Sequence, residues 1–120
     1  MGRLKGVRPL GGSVEFGETR EDALRREFLE EIGAAIRIIG PWEAIENLFR
    51  HEGVVGHEII FAAPIVLPDG PFDLDAPLAF DDGMPCIARW FEIGDLKRGE
   101  PRLFPTGLAD RLDVMLHRTL

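Results

Sequence analysis

Residues 12–34 read GSVEFGETREDALRREFLEEIGA, and the reading of this stretch decides both the fold and the chemistry. Thr19 can accept a hydrogen bond from the first helical turn, and Asp22 three residues later completes a capping-box pattern. A helix is therefore predicted from Thr19 to about Ile32. Gly33 supplies its stop, because a helix commonly ends on a left-handed residue that glycine adopts without strain. Leu24, Phe28 and Ile32 recur at i, i+4 and i+8 and form the stripe that faces a core. At about 100° per residue, Glu27, Glu30 and Glu31 fall together on a different face. Arg26 lies beside them, four residues before Glu30, where a helical ion pair can form.

Three clustered carboxylates repel one another by a few tenths of a kcal/mol per pair on an exposed helix, and by more when partly buried. A divalent cation removes that cost. Magnesium prefers carboxylate and water oxygens and keeps room for substrate phosphates. Glu18, just before the helix, can join from the loop. The turn at Gly11-Gly12 can bring main-chain oxygens to the same place. The plain alternative for the glutamates alone is a solvated acidic helix face.

The spacing distinguishes the two. Gly12, Glu18, Arg26-Glu27, Glu30-Glu31 and Gly33 resemble the Nudix box, which runs Gly, five residues, Glu, seven residues, Arg-Glu, an aliphatic, any residue, Glu-Glu, any residue, Gly, an aliphatic. All seven charged or glycine positions match. At roughly 7% usage per residue type, that coincidence is on the order of 10⁻⁸ per window. Two softer positions depart, with Phe28 and Ala34 where a branched aliphatic is usual. Both are apolar, so packing is expected to be kept. Beyond the box, residues 90–96 (WFEIGDL) are similar to the last strand and short turn of many family members.

The resemblance implies an α/β fold, a Nudix-like α/β/α sandwich around a mixed β-sheet, with the box forming a loop-helix-loop beside the sheet. It implies metal-dependent hydrolysis of the pyrophosphate linkage in a nucleoside diphosphate derivative, with Mg2+ or Mn2+ as cofactor. By position, the implied metal ligands are Glu27, Glu30, Glu31 and the carbonyl of Gly11. The implied catalytic set is Glu30, Glu31, Arg26 and Glu18, with Arg26 orienting carboxylates and Glu18 a supporting acid. Arg8, just before Pro9-Leu10-Gly11, is the candidate for a substrate phosphate. The proton acceptor stays open among the box carboxylates and Glu58, Asp73, Asp75, Asp81 and Asp82. A small nucleotide is the implied substrate, ADP-ribose or a similar nucleotide being favoured. The alternative is a non-catalytic nucleotide-binding or sensor domain on the same fold.

The totals agree with one domain over residues 1–120. Hydrophobic residues make up 45% and charged residues 29%, proportions that can bury a core. The net charge of −7, from 14 basic and 21 acidic residues, argues against a nucleic-acid polymer as partner. It does not exclude a phosphorylated ligand held through a cation. The longest apolar run, residues 59–67, is too short to span a bilayer and contains Pro64. The single cysteine, Cys86, reads as a small buried apolar residue and places the chain in a reducing, cytoplasmic setting.

Outside the box, strands are predicted at residues 2–10, Ala35 to Ile39, Glu43 to His51, His57 to Leu67 and Cys86 to Glu92. Residues 52–56 read as a hairpin loop, and Pro68 to Pro85 as a long loop rich in Pro, Gly and Asp. A last helix after Pro105, capped by Thr106, would bury Leu108, Leu112, Met115 and Leu116 on one face. Trp42 and Phe49 read as core or as base-stacking residues. His51 and His57 read as exposed hairpin residues. Only eleven residues precede Gly12, so the N-terminal strand region is expected to be shortened. An uncovered sheet edge invites pairing with another chain. The expectation is a homodimer covering that edge, or a natural start further upstream.

Overall fold

The computed structural model describes residues 6–68 and 76–117. In chain order its elements are α1 (Arg20–Ile32), β1 (Arg37–Ile38), β2 (Glu43–His51), β3 (Val54–Ala62), β4 (Ile65–Val66), β5 (Leu78–Asp81), β6 (Pro85–Ala88), α2 (Ile93–Lys97) and α3 (Leu108–His117). The described residues thus form a mixed α/β protein with small antiparallel sheets. β1 pairs β4, β2 pairs β3 and β5 pairs β6, each antiparallel. The parallel component is a bridge between Val7 and Leu103. Of the predicted strand at residues 2–10, only its second half is described, and Val7 alone of it carries that bridge.

The chain divides into two compact units. The first comprises Met1–Arg8, Ile39–Pro64 and Glu92–Leu120. Its core is Ile45, Leu103, Leu108 and Met115, with Val7, Ala62, Leu96, Ala109 and Leu112 packed against it. Leu108 is 2% exposed, and burying one such side chain is worth about 2 kcal/mol. Leu108, Leu112 and Met115 lie at i, i+4 and i+7, so the predicted stripe of α3 is its buried face. The helix starts one residue later than Thr106 as its cap would set it, because Gly107 at φ +98° still belongs to the preceding turn. Arg111 on α3 donates to the Ala44 carbonyl at 3.0 Å and to Glu43 at 3.3 Å, and Lys97 pairs with Asp113.

The hairpin β2–β3 is longer than the sequence suggests. His51 pairs with Val54, leaving only Glu52 and Gly53 as the turn. Both have positive φ, 51° and 82°, which is the twist a two-residue hairpin turn needs. Val54 and Val55 are strand residues, and Gly56 is not part of a loop. It sits opposite Phe49, whose ring lies where a Cβ on Gly56 would stand. A glycine in the strand interior here makes room for a cross-strand aromatic. His57 meets Glu46 at 2.7 Å on the exposed hairpin.

The second unit comprises Pro9–Ile38 and Ile65–Phe91. In α1, Thr19 Oγ1 accepts from the Asp22 amide at 3.1 Å, and Gly33 closes the helix at φ 67°. Gly33 N donates to the Leu29 carbonyl at 3.1 Å and Ala34 N to the Phe28 carbonyl at 3.4 Å, so these two carbonyls of the last turns are satisfied. Ala23 and Phe28 are buried, as is Ala34, so the two departures from the usual aliphatics keep their packing role. β5 packs against α1. Residues 78–88 form a hairpin whose three-residue connection, Asp82-Gly83-Met84, turns at Gly83 with φ +79°. The predicted long loop therefore contains a strand. Proline, glycine and aspartate masked it, since they mark the turn within the hairpin rather than one continuous loop. The strand predicted to run to Glu92 ends at Ala88, and Trp90, beyond its end, is exposed.

Candidate active site

The loop before α1 folds around a single guanidinium. Arg26 Nε donates to Glu18 Oε2 at 2.7 Å and its Nη2 to Glu18 Oε1 at 3.0 Å, a bidentate fork. The same Nη2 donates to the Ser13 carbonyl at 3.0 Å. Nη1 reaches Glu27 Oε1 at 2.9 Å and Glu30 Oε2 at 3.3 Å. The loop is closed further by the Glu15 amide, which donates to Glu18 Oε1 at 3.0 Å. Arg26 thus ties the loop to the helix and sets the direction of two helix carboxylates. The Glu18 carboxyl is held below the usual carboxylate range, first by its hydrogen bonds to Arg26 and then by the Glu15 amide. The Arg26 pKa is raised by the same partnership.

On the side of Glu27 away from Arg26 lies a close group of carboxylates. Glu27, Glu31 and Asp82 each present a carboxylate oxygen within 4.8 Å of the others. The Glu27 side chain is only 12% exposed. Burial pushes Glu31 up to about 7, helped by its hydrogen bond with Glu27 and by the charges of Glu27, Asp82 and Glu30. Glu31 Oε1 is buried and has no hydrogen-bond partner. A buried carboxylate oxygen without a donor is costly. Gly12 passes against Glu27 so closely that a Cβ there would overlap its carboxylate.

The structure brings together Glu18, Arg26, Glu27 and Glu31 from the box, and adds Asp82 from the β5–β6 turn. From sequence Asp82 was only one of several candidate proton acceptors, because no local spacing links it to α1. Glu30 is on the same helix but 60% exposed and paired to Arg26, outside the close carboxylate group. Gly11 turns at φ +152° beside Leu24. Arg8 is exposed and belongs to the first unit, as does Glu58, which accepts from Asn47 at 3.0 Å on the hairpin. Asp81 is exposed on β5. Asp73 and Asp75 lie outside the described residues. Cys86 is half-buried, its thiol 3.4 Å from the Met84 carbonyl.

Glu27 and Glu31 of a helix that its own Arg26 ties to the preceding loop converge with Asp82 of the β5–β6 turn, an arrangement that could hold an oxygen-loving divalent cation. The donors fit such an ion: all are hard oxygens, they approach one another closely, and one lacks any partner of its own. The chain belongs to the NUDIX family, for the NUDIX domain matches residues 4–109. No curated protein and no solved structure matches it. Members of the family are typically pyrophosphohydrolases that use a divalent metal, and membership points to nucleoside diphosphate derivatives as substrates. Among the described residues no helix is long and apolar enough to cross a membrane.

Proposed function

We propose that this chain hydrolyses the pyrophosphate linkage of a small nucleoside diphosphate derivative, with ADP-ribose the first substrate to test, on a Nudix-like α/β/α sandwich. The observation that carries the reading is the buried, partnerless Glu31 Oε1 within a close group of Glu27, Glu31 and Asp82. In this reading Glu27, Glu31 and Asp82 hold Mg2+ or Mn2+, with the Gly11 carbonyl as a main-chain ligand and Glu30 beside them. Bound there, such an ion supplies charge neutralisation of phosphate oxygens and a water of lowered pKa.

The protein's own groups have separable tasks. Arg26 fixes Glu27 and Glu30 by direct hydrogen bonds and is itself fixed by Glu18. Glu27 and Glu31 present charge from consecutive turns of a capped helix, so their positions are set before substrate arrives, which is where electrostatic catalysis gains most. Glu30 lies outside the close group and is open to water, which suits it to accept the proton of the attacking water. Arg8 is the proposed contact to a substrate phosphate.

The test is a hydrolysis screen over ADP-ribose, nucleotide sugars, dinucleoside polyphosphates and oxidised nucleoside triphosphates, with Mg2+ and Mn2+ supplied separately. Cleavage between phosphates that chelation abolishes supports the reading. Tight nucleotide binding without turnover across the whole panel would instead identify a binding or sensor domain.

A further inference from the structure

The outer face of the β2–β3 hairpin has a pattern that the proposed chemistry does not use. Side chains alternate between faces along a strand, and directly paired residues share a face. Leu48 pairs His57, Glu46 pairs Ile59 and Arg50 pairs Val55, so these six side chains lie on one face. Leu48, Val55 and Ile59 are 66%, 63% and 60% exposed. Large apolar side chains gathered on an open sheet face mark an interaction surface. The opposite face holds Ile45 in the core.

The charges on that face specify what covers it. Glu46 and Arg50 stand two residues to either side of Leu48 on the same strand. Glu46 Oε2 is taken by His57 at 2.7 Å, which leaves its other oxygen available. Consider a second hairpin laid face to face about a two-fold axis that crosses β2 at Leu48. Leu48 then meets its own copy, Glu46 of each chain meets Arg50 of the other, and Val55 of each meets Ile59 of the other. One operation satisfies both the apolar and the charged pairs, which is the self-complementarity an isologous interface requires.

We infer that this hairpin face is where a second copy of the chain docks, with Leu48 on the two-fold axis and Glu46–Arg50 pairs on either side. The surface differs from the N-terminal edge at which the sequence predicts a dimer. Strands of nine residues give a contact about 30 Å long and about 10 Å wide. That is a small interface of the weak, concentration-dependent kind.

Sedimentation equilibrium of the full chain from low micromolar to several hundred micromolar tests it. The wild type is expected to dimerise with rising concentration. Glu46→Arg and Arg50→Glu each place like charges across the axis, and each is expected to weaken the dimer roughly tenfold or more. Mixed in equal amounts, the two variants complement each other. The arginine introduced in the first faces the glutamate introduced in the second, and the native Arg50 of the first faces the native Glu46 of the second, so pairing should return between them. Leu48→Glu should leave a monomer with an unchanged circular-dichroism spectrum. A wild type that stays monomeric throughout, a dimer indifferent to all three variants, or a mixture that fails to pair would each overturn the proposal.

Discussion

The carboxylate of Glu27 lies against the backbone of Gly12, in the space a side chain at that position would fill. The glycine that opens the box is therefore a steric vacancy for a charged group on the helix that follows. The φ of Gly12 lies outside the left-handed region, so its backbone would accept an alanine. Gly12→Ala is expected to fold, to displace Glu27, and to weaken Mn2+ binding by about 10–100-fold, the usual effect of disturbing a ligand's support. Titration calorimetry measures it. Unchanged affinity would mean that Glu27 is not a ligand.

Arg26→Ala removes contacts to Glu18, Glu27, Glu30 and the Ser13 carbonyl at once, whereas Arg25→Ala removes one exposed pair with Asp22 at 3.4 Å. Thermal melts should place the Arg26 variant well below the Arg25 variant, which stays close to wild type because exposed ion pairs contribute little. Activity should follow the same order. Equal melting temperatures for the two would contradict the bracing role.

Glu31→Gln and Glu30→Gln should separate cation holding from proton transfer. The first is expected to lose both Mn2+ affinity and turnover. The second should keep Mn2+ affinity within a few-fold and lose about 10²–10⁴-fold in kcat. Paramagnetic titration of Mn2+ alongside steady-state kinetics reads both quantities. Loss of affinity in the Glu30 variant equal to that in the Glu31 variant would place Glu30 among the ligands instead.

The raised pKa of Glu31 makes the cation-free chain pH-dependent in a defined window. Between the ordinary value of 4.5 and about 7, the folded chain keeps a proton on Glu31 that the unfolded chain has released. Stability from this group is whole below pH 4.5 and is lost as pH rises through about 7. Glu18, whose pKa is lowered, acts in the opposite sense and in a lower window: its contribution is present above 4.5 and is lost as pH falls through its folded value. In EDTA, the melting temperature should therefore fall between about pH 5 and about pH 8 by more in wild type than in Glu31→Gln. Added Mg2+ should remove most of that difference, because cation and proton compete for the same oxygens. Parallel profiles for the two proteins in EDTA would count against the assignment.

At the tip of the β2–β3 hairpin, Glu52 holds φ 51°, a conformation that asparagine tolerates better than glutamate. Glu52→Asn creates Asn-Gly at the turn and should stabilise the chain by about 0.5 kcal/mol without altering activity. Chemical denaturation provides the measurement.

Much of the candidate site was legible in residues 12–34 because a helix converts spacing into direction. Thr19 and Gly33 fix where α1 begins and ends, and the fixed turn then decides which glutamates lie together. Phe28 was readable as buried for the same reason. The hairpin tip was not, since Gly56 reads as a loop residue until Phe49 is seen lying across it. Nor was β5, because Asp82-Gly83 marks a turn without saying which strands it joins.

Sequence alone determined the capped helix, the face carrying Glu27, Glu30 and Glu31, and the arginine able to pair with it, because each follows from intervals within one regular element. Only the tertiary structure decided that Asp82 joins Glu27 and Glu31 in one close acidic group that leaves Glu30 out, and that burial raises the Glu31 carboxyl to about 7. Those outcomes depend on residues about fifty positions apart packing β5 against α1. Desolvation and through-space charge are properties of that packing, and no local pattern encodes them.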